Sequence, residues 1–299
     1  MRALAAALAL SFAISCTHAT PHVATSSPAP SATSTSTPRA AGLAACPAPR
    51  RFSSLPVRAR GLGAPDDLLA LPDGTTWVSD PVHGTLRHLS AVGRVLQTID
   101  DPEAPEGMVM LPDGRMIVAE QRRNRLVALR PPDTTRTTVF TLPPAGTGLG
   151  VDGIKLDPKG ARILIPDSPH GTLLAWPVAG GPATVLARDL GRAVDAAVSP
   201  DGAIYVTAEA AAGLLRITGG RGEAFGGIVQ ADDVVSAGGL LYVTLIGSGE
   251  VVAVDPSTGS RRVMVNGIGA AQGLAVLADG RLAIADSNRG RIAIATACG

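Results

Sequence analysis

The chain has 299 residues, of which 45% are hydrophobic, 17% are charged and 3% are aromatic. This apolar content can form the core of one large domain. A formal net charge of +1 excludes the strongly basic surface that is typical of nucleic-acid binding. The sequence also lacks a Gly-Lys-Ser phosphate loop, a zinc-type cysteine pair and a Gly-x-Ser-x-Gly nucleophile elbow.

Residues 1–16 have the pattern of a signal peptide for export. Arg2 is followed by an apolar run that is too short to span a bilayer. The run ends in Ala13-Ile14-Ser15-Cys16, which resembles a bacterial lipobox with Ala in place of the usual Leu. This resemblance implies lipidation of Cys16, and the alternative is ordinary secretion with cleavage near Ala19. In both cases we expect an extracytoplasmic protein of the bacterial cell envelope, bound to the membrane through an N-terminal lipid or not at all.

Residues 17–49 are rich in Ser, Thr, Pro and Ala and show no apolar periodicity. Such a composition cannot bury enough apolar surface to fold, so we predict a disordered tether. Residues 50–299 then form the predicted folded domain.

The folded domain repeats one pattern six times. Its clearest copy is Pro105 to Arg130, with an acid and a glycine, an apolar run, a Pro-Asp-Gly turn, a second apolar run ending in an acid, an Asn and a third run. The glycines of the first turn recur at Gly74, Gly114, Gly160, Gly202, Gly239 and Gly280. The second turn recurs at Gly84, Asn124, Gly171, Gly213, Gly249 and Gly290. A period near this length is typical of a propeller, and Gly or Asn suits the left-handed backbone of tight hairpins.

We therefore predict an all-β fold, a six-bladed β-propeller of four-stranded blades. The sixth repeat, from Ala270, supplies three strands, and we expect Arg51–Val57 to provide the fourth strand and close the ring. Cys46 and Cys298 would then lie side by side, and a disulfide between them would hold the closure. Two free thiols are the alternative.

The repeats resemble those of NHL and SMP-30/gluconolactonase/LRE-like six-bladed propellers. The likeness is clearest in blade two and in the blade-six segment QGLAVLADGRLAIADSNRGRIAIA, and it covers about Arg51 to Cys298. It implies the fold, whereas propellers of this kind have many different activities.

Acids recur at two positions of each repeat. In a propeller, the start of the first strand and the end of the second lie on one face of the disc. The first set is Asp66, Glu106, Asp152, Asp195, Asp232 and Gln272, and the second is Asp80, Glu120, Asp167, Glu209, Leu245 and Asp286. Carboxylates this close repel one another, and either a hard cation such as Ca²⁺ or nearby arginines would offset the repulsion. For the second set, the alternative is that each acid caps its own turn.

SMP-30/gluconolactonase enzymes hold a divalent metal near the channel mouth, and Glu106-Gly107 and Asp152-Gly153 resemble two of their ligand positions. The resemblance implies that Glu106 and Asp152 bind a metal, and the acidic ring adds Asp195, and then Asp66 and Asp232, as candidate ligands. It also implies that Asp152 is a general base. The chain departs from the family because no inner strand begins with Asn.

Blades one and three share a histidine motif, Asp80-Pro-Val-His83-Gly-Thr-Leu and Asp167-Ser-Pro-His170-Gly-Thr-Leu. On the acidic face, His83 and His170 are candidates to bind a ligand or to act as acid–base groups. Gln272 of the first set is a third ligand-binding candidate. The alternative is that each histidine packs over its own turn.

Two functions follow from these features. The one we favour is an exported, lipid-anchored monomer that binds a small molecule, a glycan or an envelope protein at its acidic face, and no nucleic acid. The alternative is a hydrolase of sugar lactones or esters that depends on Ca²⁺ or another divalent cation. A structural hub without a small ligand is a third alternative.

Overall fold

The structure is a computed structural model and describes residues 42–209 and 213–298. The predicted signal peptide, Cys16 and residues 17–41 of the predicted tether lie outside the described residues. Within those residues, no helix is both long and apolar enough to cross a membrane.

The described residues form six separate sheets, one for each predicted blade, and the strands within each blade are antiparallel. Two short strands precede the blades, β1 (Arg50–Arg51) and β2 (Val57–Arg60). Blade one contains β3 (Leu68–Ala70), β4 (Thr76–Asp80), β5 (Thr85–Leu89) and β6 (Val95–Asp100). Blade two contains β7 (Pro105–Met110), β8 (Met116–Glu120), β9 (Arg125–Leu129) and β10 (Thr137–Thr141), and blade three β11 (Lys155–Leu156), β12 (Arg162–Asp167), β13 (Thr172–Pro177) and β14 (Thr184–Ala187).

The second half of the ring repeats the arrangement. Blade four contains β15 (Ala193–Val198), β16 (Ile204–Ala208), β17 (Gly213–Thr218) and β18 (Arg221–Ala224). Blade five contains β19 (Ala231–Ala237), β20 (Leu240–Leu245), β21 (Glu250–Val254) and β22 (Arg261–Asn266), and blade six β23 (Ala271–Val276), β24 (Leu282–Asp286) and β25 (Arg291–Ala295). Short 3₁₀ helices lie at Leu43–Ala45, Phe52–Ser54, Gln121–Arg123, Ser168–His170 and Ser287–Arg289.

The hairpins form where the sequence places Gly or Asn. Asn124 has a φ of +45°, and its side-chain oxygen accepts a hydrogen bond from the N–H of Val151 at 2.7 Å. Gly171 has a φ of +58°, and a Cβ there would lie 2.7 Å from the carbonyl oxygen of Gly191. Any other residue at position 171 would therefore be strained, and its Cβ would also collide with the neighbouring loop. The predicted all-β, six-bladed fold is confirmed.

An N-terminal strand completes blade six, as predicted, but it lies further along the chain than Arg51–Val57. Strand β2 pairs antiparallel with β25, with Val57 opposite Ala293, whereas β1 pairs parallel with β22 of blade five. Between them, Phe52 lies in a 3₁₀ turn and is fully buried in the core shared by blades five and six. The chain must turn at Phe52–Ser54 to place the Phe52 side chain in the apolar space between blades five and six. The regular strand β2 therefore begins only at Val57.

A disulfide between Cys46 and Cys298 joins the segment before the closing strand to the end of the last strand. Both cysteines are buried in the same apolar cluster as Phe52. The predicted pairing is present, and it links residues 252 positions apart in the sequence.

Candidate functional site

The inner strands place two consecutive residues at the channel mouth. In β7, β15, β19 and β23 the pairing with the second strand shifts after the first residue and resumes three positions later. The two residues that follow the first paired residue are therefore left out of the regular pairing. The first of these two residues contributes to an outer layer of the mouth, and the second contributes to a deeper layer. The outer layer is Asp66, Glu106, Asp152, Val194, Asp232 and Gln272, and the deeper layer is Asp67, Gly107, Gly153, Asp195, Asp233 and Gly273.

Asp195 therefore belongs to the deeper layer, one position beyond the set in which the sequence pattern placed it. The N–H groups of Asp67, Asp195 and Asp233 each donate to a hydroxyl of the second strand of their own blade, at 2.9, 3.0 and 2.8 Å. Where the deeper residue is glycine, neighbouring inner strands approach closely. A Cβ on Gly107 would lie 2.3 Å from the nitrogen of Ile154, so the acid-glycine pair reflects backbone packing.

A lysine pairs with two of the three acids of the deeper layer. The Nζ of Lys155 lies 3.1 Å from Asp195 and 3.1 Å from Asp233. Burial by itself would lower the pKa of Lys155, but the neighbouring carboxylates outweigh it and raise this pKa above its usual value. The other oxygen of Asp233 accepts a hydrogen bond from the N–H of Leu274 in blade six at 2.6 Å. At Asp195, the N–H of Val234 in blade five donates at 3.0 Å to the same oxygen that Lys155 contacts. This layer ties blades three to six together.

The third acid of the deeper layer, Asp67, lies close to two acids of the outer layer. Asp66, Asp67 and Glu106 offer carboxylate oxygens that all lie within 4.8 Å of one another. Glu106 is 3% exposed, and its Oε2 is buried without a hydrogen-bond partner among the described residues. The Nε2 of Gln272 donates to Asp66 at 3.2 Å.

Burial, followed by repulsion between the acids, raises the pKa values of three outer carboxyls and of Asp67 in the deeper layer. Burial and then Asp67 raise the pKa of Asp66, and burial and then Asp66 raise the pKa of both Glu106 and Asp232. The pKa of Asp67 rises to about 8 through burial and the charge of Asp233. The group therefore needs either protons or a cation at neutral pH.

Asp152 stands apart from this trio because an arginine binds it. The Nη2 of Arg192 donates to Asp152 at 2.6 Å, and the other amino group of the guanidinium binds Glu209. Burial raises the pKa of Asp152 to about 6, although Arg192 opposes the rise. Gln121 completes the surroundings with a contact of 3.5 Å to the same carboxylate.

The second set of acids is held by basic side chains. Arg87 binds Asp80 at 3.1 Å, Arg125 binds Glu120 at 2.5 Å and Arg289 binds Asp286 at 2.8 Å. Among these three acids, Asp80 also caps its own turn, since it accepts the N–H of His83 at 3.0 Å. All three acids therefore form ion pairs with arginines, and turn capping, the other interpretation of this set, occurs in addition at Asp80.

The two histidines of the shared motif differ in their surroundings. Each places its Nδ1 against the aspartate three residues earlier, at 2.9 Å. The side chain of His83 is 55% exposed over its turn. His170 lines a cleft between blades three and four, with a volume of about 440 Å³, whose wall includes Arg192.

Sequence reasoning missed Lys155, Arg192, Asp67 and Asp233. The consecutive acids Asp66-Asp67 and Asp232-Asp233 in the sequence could have indicated that Asp67 and Asp233 also belong to the site. Lys155 is one of only two lysines, but its partners lie in other blades and no local pattern identifies them.

Several solved propellers share this architecture. A gluconolactonase from Xanthomonas campestris is 16% identical, with a TM-score of 0.65 over 81% of this chain and 88% of its own. PQQ-bound aldose sugar dehydrogenase from Streptomyces coelicolor is 16% identical, with a TM-score of 0.67 over 80% of this chain and 95% of its own. Virginiamycin B lyase from Staphylococcus aureus is 14% identical, with a TM-score of 0.59 over 81% and 87%.

At these identities the likeness establishes a shared fold and not a shared activity. No protein-family model matches the sequence, and no curated protein is similar to it. The fold and the site define a six-bladed propeller with a two-layered acidic mouth, and the predicted resemblance to gluconolactonase-like propellers is confirmed for the fold.

Proposed function

We propose that the channel mouth binds a divalent cation, with Ca²⁺ as the first candidate, and a small polar molecule beside it. The observation that carries the proposal is the trio Asp66, Asp67 and Glu106, whose oxygens lie close enough to share one ion. Hard cations prefer carboxylate oxygens. The Oε2 of Glu106 accepts no hydrogen bond from the described residues and is therefore free to coordinate a cation.

The positive side chains of the mouth support this assignment. Lys155 is held by Asp195 and Asp233, and Arg192 by Asp152 and Glu209. The trio therefore keeps charge that these two side chains do not neutralise directly. Of the metal ligands predicted from the sequence, Glu106 and Asp66 join Asp67 in the trio, whereas Asp152 and Asp195 already have basic partners.

The test is a thermal denaturation series with Ca²⁺, after removal of bound metal with a chelator. A cation that binds only the folded state stabilises it by about 2.7 kcal/mol at one hundred times its dissociation constant. We expect millimolar Ca²⁺ to raise the Tm of the wild type and not that of the double variant Asp66→Asn, Glu106→Gln. Asp113→Asn, in an exposed turn, removes one charge away from the trio and should keep the full response. An equal response of the double variant and the wild type would contradict the site.

A second candidate function is hydrolysis of a sugar lactone or ester. It is supported by Asp152, since a carboxylate with a pKa of about 6 can accept a proton from water near neutral pH. A bound cation would polarise the carbonyl of such a substrate. Gluconolactonase and aldose sugar dehydrogenase, whose names refer to sugars, share the fold. Release of acid from D-glucono-1,5-lactone that Asp152→Asn abolishes would establish this activity, and no release above the uncatalysed rate would leave binding alone.

We also propose that the protein is exported and held to the cell envelope by a lipid on Cys16, as a monomer. The disulfide between Cys46 and Cys298 supports the export, because structural disulfides persist in oxidising compartments. The binding partner in that location is a small molecule, a glycan or an envelope protein.

A further inference from the structure

The cleft between blades three and four is a second concave feature on the acidic face. Its volume of about 440 Å³ is within the range of sites for small molecules. Its wall contains Leu149, Pro169, His170, Asp189 and Arg192. Arg192 also contacts Asp152, so the cleft adjoins the channel mouth through one shared side chain.

The ring of His170 is fixed in one orientation. Both carboxylate oxygens of Asp167 lie near its Nδ1, at 3.0 and 2.9 Å. A carboxylate only accepts hydrogen bonds, so Nδ1 carries the proton and Nε2 has the lone pair when the ring is neutral. The side chain is 36% exposed and lines the cleft, which leaves Nε2 available to a ligand.

Blade one has the same motif with a different set of contacts. There, Asp80 is also bound by Arg87 at 3.1 Å and by the N–H of Ala64 at 3.2 Å. In blade three, Leu174 occupies the position of Arg87, two residues after the start of the third strand. Among the described residues, the imidazole of His170 is the side-chain partner of the buried Asp167, and no arginine binds this carboxylate.

The charges around the cleft indicate an uncharged ligand. Arg192 is matched by Asp152 and Glu209, and the exposed Asp189 adds a negative charge. An anion would meet no net positive charge. Asp189 and the Nε2 of His170 can instead accept hydrogen bonds from hydroxyl groups, while Leu149, which is 58% exposed, offers an apolar surface.

We propose that this cleft binds an uncharged sugar ring, with the Nε2 of His170 as a hydrogen-bond acceptor for one of its hydroxyls. The proposal goes beyond the proposed function, because it assigns a ligand to the cleft beside the channel mouth and not to the mouth itself. It does not depend on the cation, because none of the trio Asp66, Asp67 and Glu106 lines the cleft.

The test follows the imidazole nitrogens of His170 by long-range ¹H–¹⁵N NMR in the full-length protein. The probes are D-glucose, D-galactose and D-xylose, with D-gluconate as the anionic comparison. We expect the Nδ1–H tautomer in the free protein and a saturable shift of the His170 signals with at least one neutral sugar. The His83 signals should not move, and D-gluconate should bind about tenfold more weakly or not at all.

The matched variants are His170→Gln and His83→Gln. His170→Gln should weaken sugar binding by about tenfold, as judged by saturation-transfer NMR, while His83→Gln should bind as the wild type does. No shift with any of the neutral sugars, equal shifts at both histidines, or a preference for D-gluconate would overturn the proposal. The wild-type titration decides the question even if a variant fails to fold. A positive Ca²⁺ response with a negative sugar titration would overturn this inference and leave the cation site standing.

Discussion

At the scale of single residues, Lys155 decides which carboxylates are free to bind a cation. It is contributed by a two-residue strand of blade three and reaches acids of blades four and five. Its ammonium group thus pairs with two of the three acids of the deeper layer. The acids at the mouth could be predicted from the sequence because they recur at fixed positions in each repeat. Their division into acids that pair with Lys155 or Arg192 and the trio Asp66, Asp67 and Glu106 could not be predicted, because it depends on side chains that meet only when the ring forms.

Replacement of Lys155 by Met should therefore destabilise the fold. Removing one partner of a buried ion pair typically costs about 3–5 kcal/mol, because the other charge remains buried. We expect a loss of this order in urea unfolding at pH 7. Lys159→Met is the matched control, since Lys159 is the other lysine and is exposed. Similar losses for the two variants would contradict the role of Lys155.

The acid trio also predicts a pH dependence in the metal-free protein. The pKa of Asp67 is 3.8 in an unstructured chain and about 8 in the fold. Between these values the folded state holds a proton that the unfolded state has released, so stability falls as the pH rises from about 4 to 8. Asp66, Glu106 and Asp232 shift in the same direction.

We therefore expect the Tm in chelator to be lower at pH 8 than at pH 5, and this decrease to be smaller for Asp67→Asn. Saturating Ca²⁺ should also reduce the decrease, since the cation replaces the protons. A Tm of the wild type that stays level or rises from pH 5 to pH 8 in chelator would mean that the trio does not control stability in this range.

At the scale of elements, the closure of the ring combines a strand with a buried anchor. The need for a fourth strand in blade six was evident from the repeat count. Its position was not, because Phe52 and Leu55 are buried between blades five and six and interrupt the extended chain. The guanidinium of Arg291 lies 4.7 Å from the centre of the Phe52 ring and covers it. The local sequence indicates the alternation of a strand. It does not indicate the shape of the gap between two blades, which depends on tertiary packing.

The closure predicts different effects for two truncations. Deletion of residues 1–49 removes Cys46 but leaves Phe52 and β2, whereas deletion of residues 1–60 removes all three. Loss of a buried Phe alone costs about 3–5 kcal/mol, and the longer deletion also exposes the edge of β25. We expect the shorter form to fold and the longer form to aggregate or to unfold at much lower urea concentration. Equal urea midpoints for the two would contradict closure by this segment.

At the scale of the whole molecule, the disulfide joins the two ends of the propeller. In a ring of blades, each blade contacts its two neighbours, so the junction between the first and last parts of the chain is where the ring can open. Cys46 and Cys298 lie at this junction and pack with Phe52. The sequence indicated the pairing because the strand order brings both cysteines to one end of blade six.

The junction gives the last prediction, which concerns reduction. A cross-link over 252 positions removes much of the freedom of the unfolded chain, with a nominal stabilisation of at most about 5 kcal/mol. We expect the double variant Cys46→Ser, Cys298→Ser to unfold at lower urea concentration than the oxidised wild type. Wild type treated with a reductant should match the double variant, because both lack only the cross-link. The double variant itself should not respond to the reductant, which controls for effects of the reagent. If the oxidised wild type and the double variant had the same urea midpoint, the closing strand and Phe52 alone would hold the ring shut.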